Sequence, residues 1–134
     1  MNSRKYIPSF LSLLALAAFA ISVSTSHAQG SSTVFAIISD YGASTLPNES
    51  GVVSRIMSWN PDFIVTAGDN NTPSGAAGTI DANIGQFFHS YIYPYTGSYG
   101  AGAATNLFFP ALGNHDWMTT NAQPYLDYFT LPNN

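Results

Sequence analysis

The chain has 134 residues, of which only 7% are charged, and its formal net charge at pH 7 is −4. It contains no cysteine, which excludes disulfide bridges and thiolate metal sites. Arg55 is the only basic side chain of the lysine or arginine type after residue 28, so nucleic-acid binding through a basic surface is excluded as well. For the same reason, an anionic substrate would have to be held by metal ions, histidine or backbone amides.

Residues 1–28 are predicted to be a secretory signal peptide. Residues 4–5 are basic, residues 10–23 are almost entirely apolar, and residues 26–28 place small side chains around a cleavage site. A single membrane anchor is the alternative, but the apolar stretch is shorter than the roughly 20 residues that span a bilayer. The mature protein is therefore expected to comprise residues 29–134, to be secreted or periplasmic, and to have no membrane contact after cleavage.

Three apolar runs of strand length follow. They cover residues 34–39, 63–67 and 107–112, and continuous runs of this kind are typical of strands that are covered on both faces of a sheet. Pro110 argues against a central position for the third strand, because proline cannot donate a backbone hydrogen bond.

Helices are predicted between and after these runs, over residues 51–59, 80–91 and 121–129. Their candidate N-caps are Asn48 or Ser50, Thr79 and Asn121. The first strand, helix and second strand together have the size of a parallel βαβ unit. The predicted fold class is therefore α/β.

A polar cluster follows each apolar run, at the position where the strands of an open sheet deliver functional groups. Asp40 and Asp69 are the acids that come directly after strands, and two carboxylates brought together in a buried site stay ionised only with a cation between them. The three clusters are Ser39-Asp40-Tyr41-Gly42, Ala67-Gly68-Asp69-Asn70-Asn71 and Leu112-Gly113-Asn114-His115-Asp116-Trp117.

The third cluster adds further ligand types to the two acids. Asn114 supplies an amide oxygen and His115 an imidazole, and hard metals accept both together with carboxylates. His115 could protonate a leaving oxygen, and Asp116 could orient that histidine. Each of the first two clusters alone is more often a turn, whereas the third alone already favours a functional site, and the three in this order indicate a metal site.

With these residues the chain resembles the N-terminal part of a calcineurin-like metallophosphoesterase, and within that superfamily the purple acid phosphatase-like members. The family pattern is Asp-x-His or Asp-x-Gly, Gly-Asp, Gly-Asn-His-Asp/Glu, a later histidine and a final Gly-His-x-His. The first three blocks are present, and they fall within residues 34–130. The resemblance implies a four-layer αββα sandwich of two mixed sheets, with metals at the strand ends.

The resemblance also implies roles for single residues. Asp40 would bind a first metal, Asp69 would bridge two metals and Asn114 would bind the second, while His115 would contact the phosphoryl group. The implied cofactors are two divalent or trivalent ions, Fe, Mn or Zn. The implied reaction is the hydrolysis of a small phosphate monoester or diester by a metal-bound hydroxide.

The chain departs from the family pattern at three places. Gly42 stands where many members have a histidine ligand, and Thr72 stands where purple acid phosphatases have a tyrosine ligand. No histidine follows His115. We therefore expect a truncated product that is inactive alone, and the alternative is a non-catalytic exported binding module or an inactive phosphoesterase remnant.

Several aromatic residues have two open interpretations. Tyr91, Tyr93, Tyr95 and Tyr99 either line a substrate mouth or pack with their hydroxyl groups in water, and packing is the preferred interpretation. Trp117 either walls a pocket or belongs to the core. The sequence does not indicate an oligomeric state.

Overall fold

Three parallel strands form the centre of the protein. The computed structural model describes residues 30–43 and 49–131, so the predicted signal peptide lies outside the described part. The strands pair in the order β1-β2-β3, and the mixed α/β class predicted from the sequence is confirmed. The strands are β1 (Phe35–Ile38), β2 (Phe63–Thr66) and β3 (Phe108–Phe109).

The third strand is shorter than predicted. β3 has only two residues, because Pro110 follows it without an N–H to continue the pairing. The next residue then leaves the ladder, since the N–H of Ala111 donates to the hydroxyl of Thr66 at 3.1 Å. The chain therefore turns away from the sheet earlier than the apolar run suggested.

Helical segments occur near all three predicted places. α1 begins at Glu49, so Ser50 lies inside the helix, while Asn48 lies outside the described residues. The second predicted helix is a continuous run of mixed helical types that includes a π-helical turn at its centre. The segments are α1 (Glu49–Ser58), α2 (Ala77–Ile80), the π turn (Asp81–Gly85), α3 (Gln86–Phe88), 3-10 turns (His89–Tyr91, Asp116–Met118 and Thr120–Ala122) and α4 (Gln123–Tyr128).

Two predicted helix caps are wrong. Thr79 lies inside α2, whose N-cap is Ala76, and its hydroxyl donates to Asn71 Oδ1 at 2.9 Å. Asn121 lies inside a 3-10 turn with a φ of 55°, and no side-chain cap precedes α4. Local sequence patterns favoured both caps, but contacts made elsewhere in the fold decided where these helices begin.

The helices cover one face of the sheet. Consecutive parallel connections wind in the same direction, so a 1-2-3 strand order places both connecting helices on the same side. The covered face packs with α1, α3 and α4 in one hydrophobic core. Its buried members include Ala36, Ile38, Val53, Ile56, Ile64, Ile84, Phe88, Phe108, Tyr125 and Phe129.

The opposite face of the sheet is uncovered by the described residues. Phe35 is 51% exposed and Ile37 is 64% exposed, and both alternate along β1 with the buried residues Ala36 and Ile38. Three aromatic rings continue across this face, because Phe63 stacks on Phe35 at 5.2 Å and meets Phe109 edge-on at 5.8 Å. The sequence predicted strands covered on both faces, and the described residues cover only one.

A carboxylate ties the tyrosine-rich segment to the helices. Asp81 Oδ1 accepts hydrogen bonds from the hydroxyls of Tyr95 at 2.8 Å and Tyr128 at 2.7 Å, and Oδ2 accepts from the Ser98 N–H at 2.9 Å. Burial acts to raise the pKa of Asp81, but these hydrogen bonds outweigh it and hold the pKa below its usual value.

Among the described helices, none is both long and apolar enough to cross a membrane.

Candidate functional site

The two acids that follow β1 and β2 lie at neighbouring strand ends. The N–H of Asp40 donates to the Gly68 carbonyl at 3.3 Å, directly before Asp69. Asp40 and Asp69 both adopt left-handed backbone conformations, with φ of 52° and 53°. Such values are uncommon outside glycine and are favoured by aspartate and asparagine, so both turns suit the residues that occupy them.

The loop after β2 and the loop after β3 meet at Asp69. We call residues 67–76 the β2 loop and residues 110–118 the β3 loop. Asp69 Oδ1 accepts a hydrogen bond from the His115 N–H at 2.8 Å, across 46 positions of sequence. The structure therefore brings the second and third predicted clusters together, with the Asp69 carboxylate against the Asn114-His115 peptide.

The Asn114 side chain can face Asp69 Oδ2 in two ways. With its Nδ2 toward the acid it donates to Oδ2 at 3.2 Å, and its oxygen accepts from the His115 N–H at 3.3 Å. When the amide is turned over, its oxygen faces Asp69 Oδ2 instead. Two oxygens at that separation repel each other unless a cation lies beside both. The first arrangement suits the metal-free protein, and the second presents two hard oxygen donors to a cation.

Glycines allow the two loops to approach so closely. Gly68 has a φ of 106°, and a Cβ built on it would lie 2.9 Å from the Gly113 Cα. A Cβ on Gly113 would overlap the backbone nitrogen and the carboxylate of Asp69. Neither position accepts a side chain without moving the loops apart.

Asp116 is a buried carboxylate that joins the same two loops from the other side. Its side chain is 1% exposed. Its Oδ2 accepts from the N–H of Asn70 at 3.2 Å, from Nδ2 of Asn70 at 2.8 Å and from the N–H of Gly113 at 2.9 Å. Its Oδ1 accepts from the N–H of Asn71 at 3.2 Å. Hydrogen bonds of this number satisfy a buried carboxylate without a basic partner.

The imidazole of His115 contacts a backbone carbonyl of the β2 loop. Its Nδ1 lies 2.6 Å from the carbonyl oxygen of Pro73. A carbonyl only accepts, so Nδ1 carries a proton and Nε2 is the ring atom left for other partners. Asp116 was predicted to orient this ring, and its described hydrogen bonds come from Asn70, Asn71 and Gly113.

Asn70 and Asn71 belong to the second cluster, in which no role was predicted for them, and both connect the two loops of the candidate site. Both are buried, and Asn70 Oδ1 accepts from the hydroxyl groups of Tyr41, at 3.0 Å, and Thr66. Asn71 Oδ1 accepts from Asn83 Nδ2 at 2.8 Å. The signal for them was weak, because two asparagines after Gly-Asp are also typical of an exposed turn.

The predicted metal ligands do not form a complete acidic and histidine cluster. Among residues 30–43 and 49–131, no group of three or more histidine, aspartate or glutamate side chains is placed to hold a metal ion. Asp40 is exposed, and its Oδ2 accepts from the Ser39 hydroxyl at 2.6 Å. The donor set that does converge is the Asp69 carboxylate with the Asn114 amide.

The aromatic residues with two open interpretations divide between packing and exposure. Tyr91 and Tyr95 pack against the hydrophobic core as predicted, but their hydroxyl groups donate to protein acceptors, the Pro61 carbonyl at 3.1 Å and Asp81. Trp117 is 57% exposed in the β3 loop, so it does not belong to the core.

Comparison of the chain with protein-family models, curated proteins and solved structures returned no match.

Proposed function

We propose that this chain carries the cation-binding and phosphate-binding part of an exported metal-dependent phosphoesterase. The observation that carries the proposal is the meeting of Asp69 with the Asn114-His115 peptide at 2.8 Å, at the carboxyl end of a parallel sheet. Ligands bind preferentially at this end of open α/β sheets. The Gly-Asp and Gly-Asn-His-Asp clusters thus share one location, and the proposal extends their resemblance to metallophosphoesterases.

The residues present fit a hard cation in part. Asp69 Oδ2 and the Asn114 amide oxygen would hold it, with Asp40 at the adjacent strand end as a further donor. Oxygen donors of this kind suit Mn, while Fe and Zn are implied by the family resemblance. When bound, such ions neutralise phosphoryl charge and lower the pKa of coordinated water. We propose two ions, as the family resemblance implies, with Asp40 as a ligand of the first, Asn114 as a ligand of the second and Asp69 between them.

His115 would act on the phosphate ester itself. Its Nδ1 is held by Pro73, so Nε2 is available to contact a phosphoryl oxygen or to give a proton to the leaving oxygen. Because the imidazole is part-exposed, a substrate can reach it from solvent. The substrate class is a small phosphate monoester or diester.

The finer fold and location belong to the same proposal. The uncovered aromatic face of the sheet supports a further layer, because parallel sheets are covered on both faces, and a four-layer αββα sandwich would supply it. The basic and apolar start of the sequence supports export through a signal peptide.

Manganese titration of the purified chain tests the proposal. Loss of the free Mn²⁺ electron paramagnetic resonance signal should saturate for the wild-type chain, and Asp69→Asn should weaken binding at least tenfold. Asp127→Asn is the matched control, because Asp127 is an exposed acid on α4 that accepts from Gln123 at 2.7 Å.

Phosphate binding provides the second part of the test. Inorganic phosphate should bind only when Mn²⁺ is present, and His115→Gln should weaken phosphate binding more than Mn²⁺ binding. Wild-type Mn²⁺ affinity in Asp69→Asn, or phosphate binding without metal, would contradict the proposal. Binding is the readout for this chain because no histidine follows His115 to complete the family's ligand set.

A non-catalytic binding module with one weak cation site is the second candidate. It is favoured by the absence, among the described residues, of a group of three acidic or histidine side chains around one point. This candidate expects one Mn²⁺ per chain and no dependence of phosphate binding on metal. The phosphoesterase proposal expects metal-dependent phosphate binding, so the same titration separates the two.

A further inference from the structure

Two carboxylates hold the site loops together reciprocally. Asp69 belongs to the β2 loop and accepts from a backbone N–H of the β3 loop, at His115. Asp116 belongs to the β3 loop and accepts from the backbone N–H groups of Asn70 and Asn71 in the β2 loop. We call these contacts the reciprocal clasp.

The reciprocal clasp bonds one oxygen of the Asp69 carboxylate to the β3 loop backbone and leaves the other oxygen available. Oδ1 is used by the His115 N–H, whereas Oδ2 faces the Asn114 amide. The position of Oδ2 therefore depends on how firmly the β2 loop is held against the β3 loop. Asp116 supplies that hold through three hydrogen bonds from the β2 loop, at a buried position where water does not compete.

We infer that Asp116 is a positioning residue for cation binding at Asp69 and Asn114, acting through the Asn70 and Asn71 amides. It does not touch the cation. This inference rests on the proposed function and assigns to Asp116 a task different from orienting His115. Outer residues that orient metal ligands typically change metal affinity by about 10–100-fold when they are replaced.

Asp116→Asn tests the inference with little change of volume. The asparagine side chain keeps one acceptor oxygen. Its NH₂ group, however, faces at least one of the backbone N–H donors that bond to a carboxylate oxygen in the wild type. Mn²⁺ titration of the full chain should give a dissociation constant about tenfold higher or more. Ile84→Val is the control, because Ile84 is fully buried in the π turn, belongs to neither loop, and its truncation lowers stability.

Amide hydrogen exchange of the metal-free chain gives a readout that does not depend on metal binding. In Asp116→Asn, the His115 amide should exchange about tenfold faster, although Asp69, its acceptor, is unchanged. In Ile84→Val the His115 amide should exchange no faster relative to core amides. A merely structural role of Asp116 would raise exchange throughout the core to the same extent.

The outcomes separate this inference from the proposed function. Wild-type Mn²⁺ affinity in folded Asp116→Asn, or an equal loss of affinity in Ile84→Val at equal thermal stability, overturns the positioning role. Unchanged His115 exchange in Asp116→Asn overturns it as well. A wild-type chain that binds no Mn²⁺ overturns the proposed function, while the exchange experiment still decides whether Asp116 positions the Asp69 loop.

Discussion

The carbonyl oxygen of Gly42 accepts two hydrogen bonds from Thr72, one from its N–H at 2.8 Å and one from its hydroxyl at 3.2 Å. Gly42 and Thr72 are two of the three places at which the chain departs from the ligand pattern of the phosphoesterases that it resembles. A Cβ on Gly42 would overlap the carbonyl of Asn70, so a histidine does not fit there. The two departures are therefore parts of one contact, in which neither position offers a side-chain ligand.

Gly42→Ala should destabilise the protein strongly. The added methyl group has no space beside the Asn70 carbonyl, and overpacking against a fixed backbone should lower the free energy of unfolding by about 3 kcal/mol. Gly51→Ala is the matched control, since nothing lies within 4 Å of its added Cβ in α1. The control should raise stability by about 0.5–1 kcal/mol through helix propensity. Urea denaturation of both variants measures the two effects, and equal stabilities would contradict the close approach at Gly42.

Asp40→Asn should separate cation binding from stability. Asp40 is exposed, and asparagine also favours the left-handed backbone conformation found there, so the free energy of unfolding should change by about 0.5 kcal/mol or less. The number of Mn²⁺ ions bound per chain should fall, because Asp40 is proposed as the ligand of one of them. Equilibrium dialysis with elemental analysis measures this number. An unchanged number would remove Asp40 from the ligand set and leave Asp69 with Asn114.

Glu49→Gln should change the pH dependence of stability. Glu49 is 6% exposed and, among the described residues, receives no hydrogen bond of good geometry. Burial raises the pKa of its carboxyl group to about 7, with a smaller opposing contribution from the Ala43 backbone. The folded state therefore holds this proton more tightly than the unfolded state, where the pKa is 4.5.

The direction of the Glu49 pKa shift determines how stability changes with pH. The contribution of Glu49 to stability is fully present below about pH 4.5 and is lost as pH rises through about 7, because a buried carboxylate must then carry its charge. The glutamine variant lacks this loss and should exceed the wild type at pH 8 by about 2 kcal/mol. Chemical denaturation at pH 5 and pH 8 measures the difference. Parallel pH profiles for the two proteins would contradict the burial of a titrating Glu49.

Ile37 and Ile38 are adjacent residues on opposite faces of β1 and form a matched pair. Ile37→Thr should leave stability within about 0.5 kcal/mol and reduce self-association, since Ile37 is 64% exposed on the aromatic face. Ile38→Thr should cost about 2 kcal/mol or more, because it places a hydroxyl in the core. Sedimentation velocity at several protein concentrations and urea denaturation provide the measurements. Equal association of wild type and Ile37→Thr would exclude this face as the cause of association.

The sequence indicated the strands and helices where apolar runs were long and uninterrupted. β1, α1 and β2 overlap the segments that the sequence placed there, although β1 and β2 bury alternate residues on one face and were predicted to be covered on both. β3 stopped early because Pro110 ended its pairing. Asn121 failed as a cap because it takes a left-handed conformation inside a turn.

The site was predictable in its members but not in its internal contacts. The clusters named Asp69, Asn114 and His115, and the structure brings these three together. The role of Asp116 depended on amides 45 and 46 residues away, and no local pattern signals such a partner. Because Asp116 follows His115 directly in the sequence, an orienting role was predicted. In the structure, Asp116 accepts hydrogen bonds from the distant Asn70 and Asn71 amides.

The reciprocal clasp has a consequence for protein engineering. Since each loop relies on a carboxylate carried by the other, neither the Gly-Asp-Asn-Asn segment nor the Gly-Asn-His-Asp segment is a self-contained module. A graft of one segment into a foreign scaffold would arrive with an unsatisfied acid and unsatisfied amides. Only a transplant that moves both segments together, with the glycine pair that lets them touch, would carry the arrangement intact.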